Sequence, residues 1–137
     1  MFLDPLSLPM SQHVLIFQHI PWFISEEDEP RGYFNIPPTT RAKWLAAIAG
    51  PKDAAGKPLT RAVFCGHFHN NVLGRFHSGQ VEHVITSSIG RQISLEECAC
   101  NQDLGQCAEY SPGARLVRVG DQGLTHEVSC SLVMTSN

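Results

Sequence analysis

The sequence predicts a mixed α/β (α+β) fold, a mixed sheet carrying one main helix. Three observations predict it. Two short apolar runs, His13–Gln18 and Arg61–Cys65, flank a single helical stretch, Arg41–Ala49. Two further pairs of strand-like runs follow, each pair joined by a four-residue polar connection that contains glycine. A hydrophobic share of 42% against 17% charged residues suits a globular core rather than a disordered chain. At 137 residues the chain is one domain's worth, or part of a larger domain.

Residues 1–12 read as an irregular start. Asp4, Pro5 and Pro9 interrupt the apolar residues, and with no Lys or Arg the segment is a poor secretory signal. His13–Gln18 then reads as a buried strand that stops at His19-Ile20-Pro21, because Pro21 cannot continue a central ladder. Ser25–Arg31 is an acidic loop, expected to be a solvated connection. Thr39 and Thr40 offer an N-cap ahead of Arg41–Ala49, where Trp44, Leu45 and Ile48 make one apolar stripe, and Gly50-Pro51 stops the helix. After a loop over Pro51–Thr60, Arg61–Cys65 completes a strand–helix–strand unit. Such units place both strands parallel with their carboxyl ends on one edge, so His19, His67 and His69 are expected on a common rim.

Asn71–Phe76 and Val81–Ser87 read as one hairpin, and Ala114–Val119 and Leu124–Cys130 as another. Between them Gly90–Gly113 reads as an irregular insertion carrying Cys98, Cys100 and Cys107. The domain is expected to run over residues 13–132, with 133–137 as a tail.

Several functions are disfavoured by composition. Net charge is −3 with no basic block, so nothing points to nucleic acid or to an anionic membrane surface. The longest apolar runs, Val14–Phe17 and Trp44–Ala49, are too short to cross a bilayer. Five cysteines are an odd number, and reduced thiols in a cytoplasmic protein are the simpler expectation. A structural zinc on Cys98, Cys100 and Cys107 is the alternative, but only one residue separates the first two where two are usual.

The chemistry concentrates in Arg61–Asn71, RAVFCGHFHNN. A buried strand runs into Gly66, where a tight turn is expected, and His67 and His69 follow with one residue between them. In extended backbone their side chains would point the same way about 6.6 Å apart. That suits two ligands on one metal, or one ligand each for two metals about 3.5–4 Å apart. A polar turn with two surface histidines is the plain alternative. His13, His77, His83 and His126 lack partners at motif spacing and read as structural or surface residues; Arg75 and Arg91 read as solvent-exposed charges. Two metal-binding patterns that share the paired histidines fail. Asn71 and Val72 stand where a metallo-β-lactamase needs Asp and His, and Leu73 and Gly74 where a cupin needs Glu.

In HVLIFQHIPWF, GYFNIPPTTRAKWL, RAVFCGHFHNN, VITSSIGRQI and RLVRV…GLTHEVSCSL, taken in this order, the chain resembles the calcineurin-like metallophosphoesterases. The likeness is to the C-terminal half of a calcineurin-like Ser/Thr protein phosphatase domain. It implies half of a four-layer α/β/β/α sandwich and two divalent metal ions, with Mn, Fe, Zn and Mg not distinguished. It implies that His19 and His67 bind one ion and His69 the other. A metal-activated hydroxide would then attack the phosphorus of a phosphorylated protein or small phosphomonoester in line.

The family's N-terminal half supplies Asp-x-His, Gly-Asp-x-x-Asp/Asn and Gly-Asn-His-Asp/Glu motifs, and none of them occurs here. Gly120-Asp121 begins the second motif but meets Leu124 where Asp or Asn belongs. Two dications 4 Å apart repel by roughly 17 kcal/mol at an effective dielectric of 20, which neutral imidazoles cannot offset, so one ion on the three histidines, or none, is expected on this chain alone. The expectation is therefore the C-terminal portion of a phosphatase, incomplete or a short form. A non-catalytic binding or interfering module is the alternative. An apolar sheet face and an unpaired edge are expected to make the chain marginally stable.

Overall fold

A computed structural model describes residues 13–88, 114–120 and 123–129. The expectations for residues 1–12, 90–113 (with Arg91, Cys98, Cys100 and Cys107) and 133–137 lie outside the described residues.

The order is β1 (Val14–Phe17), α1 (Pro38–Ala49), β2 (Thr60–Cys65), β3 (Val72–Phe76), β4 (Val81–Ile85), β5 (Ala114–Gly120) and β6 (Gly123–Ser129). β1 to β4 form one mixed sheet in the order β1-β2-β4-β3. β1 pairs parallel with β2 and β2 parallel with β4, while β3 closes the far edge antiparallel to β4. β5 and β6 form a separate antiparallel ribbon. The parallel strand–helix–strand unit and both hairpins are as the sequence predicts.

Alternation along the strands sorts the side chains onto two faces. Val63 and Cys65 of β2, Val81 and Ile85 of β4, and Val72 and Phe76 of β3 face the main core. There they meet Leu45 and Ala49 of α1, the segment Trp22-Phe23-Ile24, and Phe68. Ala62, Phe64 and Val84 face the other way and pack with Leu15, Val117 and Leu124 under the β5–β6 ribbon. The central strand β2 is thus covered on both faces. That is why Ala62–Cys65 reads as an unbroken apolar run rather than an alternating one.

The helix departs from expectation in two respects. Its N-cap is Pro37, with proline in the first turn and no side-chain cap, so Thr39 and Thr40 lie inside the helix. The fixed φ of proline starts the helix where a hydroxyl was expected to. Leu45 is buried and Ile48 packs against the core, but Trp44 remains 41% exposed, so the stripe is narrower than its composition suggests.

Ser25–Arg31 is a largely exposed connection, as expected, but an ordered one. Arg41, 0% exposed, donates from its guanidinium to the carbonyls of Glu27 (2.7 Å), Glu29 (2.9 Å) and Ile36 (2.8 Å). Glu29 turns inward and accepts the amides of Ile24 and Ser25, each at 2.8 Å, and the Asn35 side chain. Burial opposes ionisation of Glu29, but hydrogen bonds from Ser25, Asn35, Ile24 and Glu26 outweigh it and hold its carboxyl below the usual range. Glu27 accepts the amide of His77 at 3.1 Å, at the β3–β4 turn. That turn is the opposite end of the sheet from the carboxyl ends of β1 and β2.

Among the described residues, no helix is long and apolar enough to cross a membrane.

Candidate metal and phosphoester site

The site is built where β1 and β2 end side by side. Phe17 is in register with Phe64, and the ladder continues past both strands. Gln18 N donates to Phe64 O (2.9 Å), and Gly66 N donates to His19 O (3.0 Å). These bonds place His19 beside the residue that follows Gly66. The outcome is close: His67 Nδ1 and His19 Nε2 stand 3.1 Å apart although 48 positions separate them. Their rings meet edge to face with centroids 4.9 Å apart.

The tight turn falls on the histidines rather than on Gly66. His67 has φ +65° and His69 φ +61°, so neither lies in extended backbone and the expected 6.6 Å side-by-side arrangement does not form. Phe68 N donates to Gly66 O at 2.7 Å across His67, an i→i+2 bond that with positive φ defines a rare and strained three-residue turn. Burial of Phe68, 2% exposed, is what draws the chain inward between the two imidazoles. At Gly66 an added Cβ would lie 3.7 Å from His19 Nδ1, an ordinary contact, so glycine is not sterically required there.

Around the pair lies an aromatic wall. The Tyr33 ring stacks on His67 at 5.5 Å with 27° between planes, and Phe34 meets His67 at 5.6 Å and 62°. Sequence reading missed both residues. The only signal was their place in the GYFNIPP segment, which periodicity leaves as a featureless loop.

Geometry limits what the described residues can hold. Two nitrogens each about 2.1 Å from one ion, at about 90–110° to each other, stand about 3.0–3.4 Å apart. His19 and His67 match one edge of such a shell. His69 does not join them: among the described residues no three His, Cys, Asp or Glu side chains form a group able to hold a metal. The acidic loop adds no carboxylate to the rim, being tied elsewhere through Glu29 and Glu27.

The remaining histidines are structural or surface residues, as expected, with His77 exposed at the β3–β4 turn. His83 is 0% exposed and accepts the Trp22 amide on Nε2 at 3.2 Å, with Phe23 stacked on its ring. His13 Nδ1 accepts from Arg61 Nε at 2.9 Å, and Arg61 also pairs with Asp53 at 2.6 Å. Arg75 is solvent-exposed, as expected, and also pairs with Glu82 at 2.6 Å. Cys65 is buried, and burial pushes its thiol up to about 12.

A mixed four-stranded sheet with one helix is consistent with half of a metallophosphoesterase fold. The individual relatives carry this further. The chain is 39% identical over 85 residues to the Serine/threonine-protein phosphatase CPPED1 of Rattus norvegicus, covering 62% of this chain and 24% of that one. It is 37% identical over 86 residues to the protein of the same name from Homo sapiens, with the same coverage of 62% and 24%. To that of Bos taurus it is 30% identical over 115 residues, covering 84% and 29%. The resemblance to calcineurin-like Ser/Thr protein phosphatases is thus borne out over part of the chain. The chain spans about a quarter of the length of the curated relatives it matches. No family model and no solved structure matches it.

Proposed function

We propose that the chain is part of a metal-dependent phosphoesterase, and specifically of a Ser/Thr phosphoprotein phosphatase acting on phosphomonoesters. The observation that carries this reading is the meeting of His19 and His67 at 3.1 Å on the carboxyl-end rim of a parallel strand pair. The relatives' name, Serine/threonine-protein phosphatase, supports the substrate class proposed here.

In this reading His19 and His67 hold one divalent ion. His69 serves a second ion that needs carboxylates from elsewhere in the complete enzyme. The chemistry an ion supplies at such a rim is neutralisation of phosphoryl charge and acidification of water. The described residues fit one edge of one ion's shell. They do not fit a two-ion centre, whose like charges demand carboxylates. A reducing, cytoplasmic setting belongs to the same proposal and rests on the odd count of five cysteines.

The test combines metal binding with turnover. Zn²⁺ titrated calorimetrically into the chain should bind, and His19→Ala or His67→Ala should weaken binding at least ten-fold while circular dichroism stays unchanged. With Mn²⁺, any hydrolysis of para-nitrophenyl phosphate should vanish in His67→Ala. Metal-dependent hydrolysis that survives loss of both His67 and His69 would remove the assignment. Zn²⁺ binding through His19 and His67 without turnover favours the second reading, a non-catalytic binding module. The observation behind that reading is that no carboxylate joins the histidines among the described residues.

A further inference from the structure

The turn that carries His67 and His69 is closed at both ends by two neighbouring residues. On leaving β2 the chain passes Cys65, whose carbonyl accepts the amide of Thr86 at 2.9 Å. On entering β3 it passes Asn71, whose side chain is bonded to Ser87 in both directions. Oδ1 accepts the Ser87 amide and Nδ2 donates to the Ser87 hydroxyl, each at 3.2 Å. Asn71 and Ser87 are both buried, so these bonds are costly to leave unmade. Thr86 and Ser87 follow directly on β4, and the end of that strand thus grips the histidine turn from either side.

A side chain of the ribbon reaches this grip. Arg115 of β5 donates from Nε to Thr86 Oγ1 at 3.0 Å and from Nη2 to Asn71 Oδ1 at 3.4 Å, the longer and weaker bond. Its remaining nitrogen, Nη1, donates to His126 Nδ1 of β6 at 2.8 Å. A guanidinium is a rigid planar fork, so its three nitrogens cannot shift independently. A displacement of the ribbon therefore carries Thr86 and Asn71 with it or breaks their bonds.

We infer that Arg115 is a positioning residue: from the ribbon it locks the Thr86–Ser87 grip, and through that grip it sets how His67 meets His19. Gly66 N anchors the near end of the turn to His19 O, and Asn71 anchors the far end just past His69. Both histidines sit at positive φ, a strained state that persists only where the surroundings over-determine it. The far anchor is part of that surrounding, so releasing it lets the turn relax and the imidazoles part. Ribbon and rim are thereby coupled, and the coupling is reciprocal: what orders the rim also orders the ribbon. The inference goes beyond the phosphoester reading and holds whatever the rim binds.

The experiment is NMR on the whole chain with no metal added. It reads amide exchange at Gly66 and Phe68, and the ¹⁵N shifts of the His19 and His67 rings, whose nitrogens meet at 3.1 Å. A loss of global stability does not move the ring shifts of molecules that remain folded, so these shifts separate positioning from mere support. Arg115→Gln should accelerate exchange at Gly66 and Phe68 about ten-fold and move both ring shifts towards those of an isolated imidazole. Thr86→Val removes the hydroxyl that Arg115 holds but keeps the branched shape and the backbone bond to Cys65; it should act the same way to a smaller extent. Arg118→Gln breaks an exposed ion pair with Glu127 on the same ribbon and should leave the rim unchanged. Faster exchange confined to the ribbon in Arg115→Gln, with Gly66, Phe68 and both rings unmoved, would overturn the inference. Should Arg115→Gln unfold the chain, Thr86→Val decides: moved ring shifts support the role of Arg115 and unmoved ones end it. Neither result touches the phosphoester reading, which metal binding and turnover decide.

Discussion

His67 and His69 sit at positive φ, where an L side chain costs roughly 1–2 kcal/mol per residue. Histidine is among the residues that tolerate this region better than most, yet two within three positions is strain concentrated at one rim. The backbone bends there because Phe68 is drawn into the core between them and Gly66 N is committed to His19 O. A direct consequence concerns His69, which among the described residues lacks the ring contacts that support His67. His69→Gly should be more stable than His69→Ala by about 1 kcal/mol, since only glycine is relaxed at positive φ. Urea unfolding of the two variants measures the difference, and an alanine variant of equal or greater stability would show that the bend carries no strain. Gly66→Ala should fold normally, as the new Cβ meets nothing closer than 3.7 Å. The sequence made Gly66 look like the hinge because glycine marks turns in general. It could not show that burial of Phe68 moves the turn one residue on.

Between β1 and α1, the segment Trp22–Ile36 works as a strap across the sheet, held by two buried polar groups rather than by strand pairing. At one end His83 Nε2 accepts the Trp22 amide, which leaves the proton of the neutral ring on Nδ1, buried and without a partner among the described residues. At the other, Arg41 gathers the carbonyls of the acidic loop. Burial pushes His83 down to about 4. Its folded pKa lies below the unfolded value of about 6.5, so the unfolded chain binds more protons between the two. The stabilisation is complete above about pH 6.5 and is lost as pH falls towards 4, by up to about 3 kcal/mol. Glu29, whose pKa is lowered from 4.5 by its hydrogen bonds, adds a further loss at more acid pH. Thermal melts from pH 7 to pH 4 should therefore fall steadily, and His83→Gln should flatten that slope while lowering stability at pH 7. An unchanged slope in the variant would move the acid sensitivity elsewhere. Little of this strap was legible beforehand. The strands and helix announce themselves by periodicity, whereas a loop organised by one inward arginine and one inward glutamate has the composition of a solvated loop. His83 was recognised as structural, but nothing in the order of residues says that it holds the segment leading away from His19.

At the scale of the whole molecule, the second face of the sheet is where expectation and structure have to be weighed together. An apolar face without cover implies marginal stability, and Phe17, 68% exposed on the edge strand β1, keeps part of that liability. Most of the centre, however, is roofed by the β5–β6 ribbon through Val117 and Leu124. A two-stranded ribbon is marginal on its own, so its order depends on how it is fastened. The fastening is directional. Arg115 Nη1 lies 2.8 Å from His126 Nδ1, and a guanidinium can only donate, so Nδ1 accepts. The ring proton is then on Nε2, which donates to Glu82 Oε2 on β4 at 3.0 Å, while Phe64 meets the same ring edge-on at 5.5 Å. His126→Ala removes both hydrogen bonds and the ring contact at once. Each of these partly buried hydrogen bonds contributes about 1 kcal/mol, and with the lost ring contact that is enough to free the ribbon while the four-stranded sheet, whose main core lies on the opposite face, stays folded. Amide hydrogen exchange should accordingly accelerate at least ten-fold across Ala114–Gly120 and Gly123–Ser129, with protection kept at Val63 and Val84. Equal acceleration in both sheets would show instead that ribbon and sheet open as one unit, and that the clamp holds the entire molecule rather than its roof.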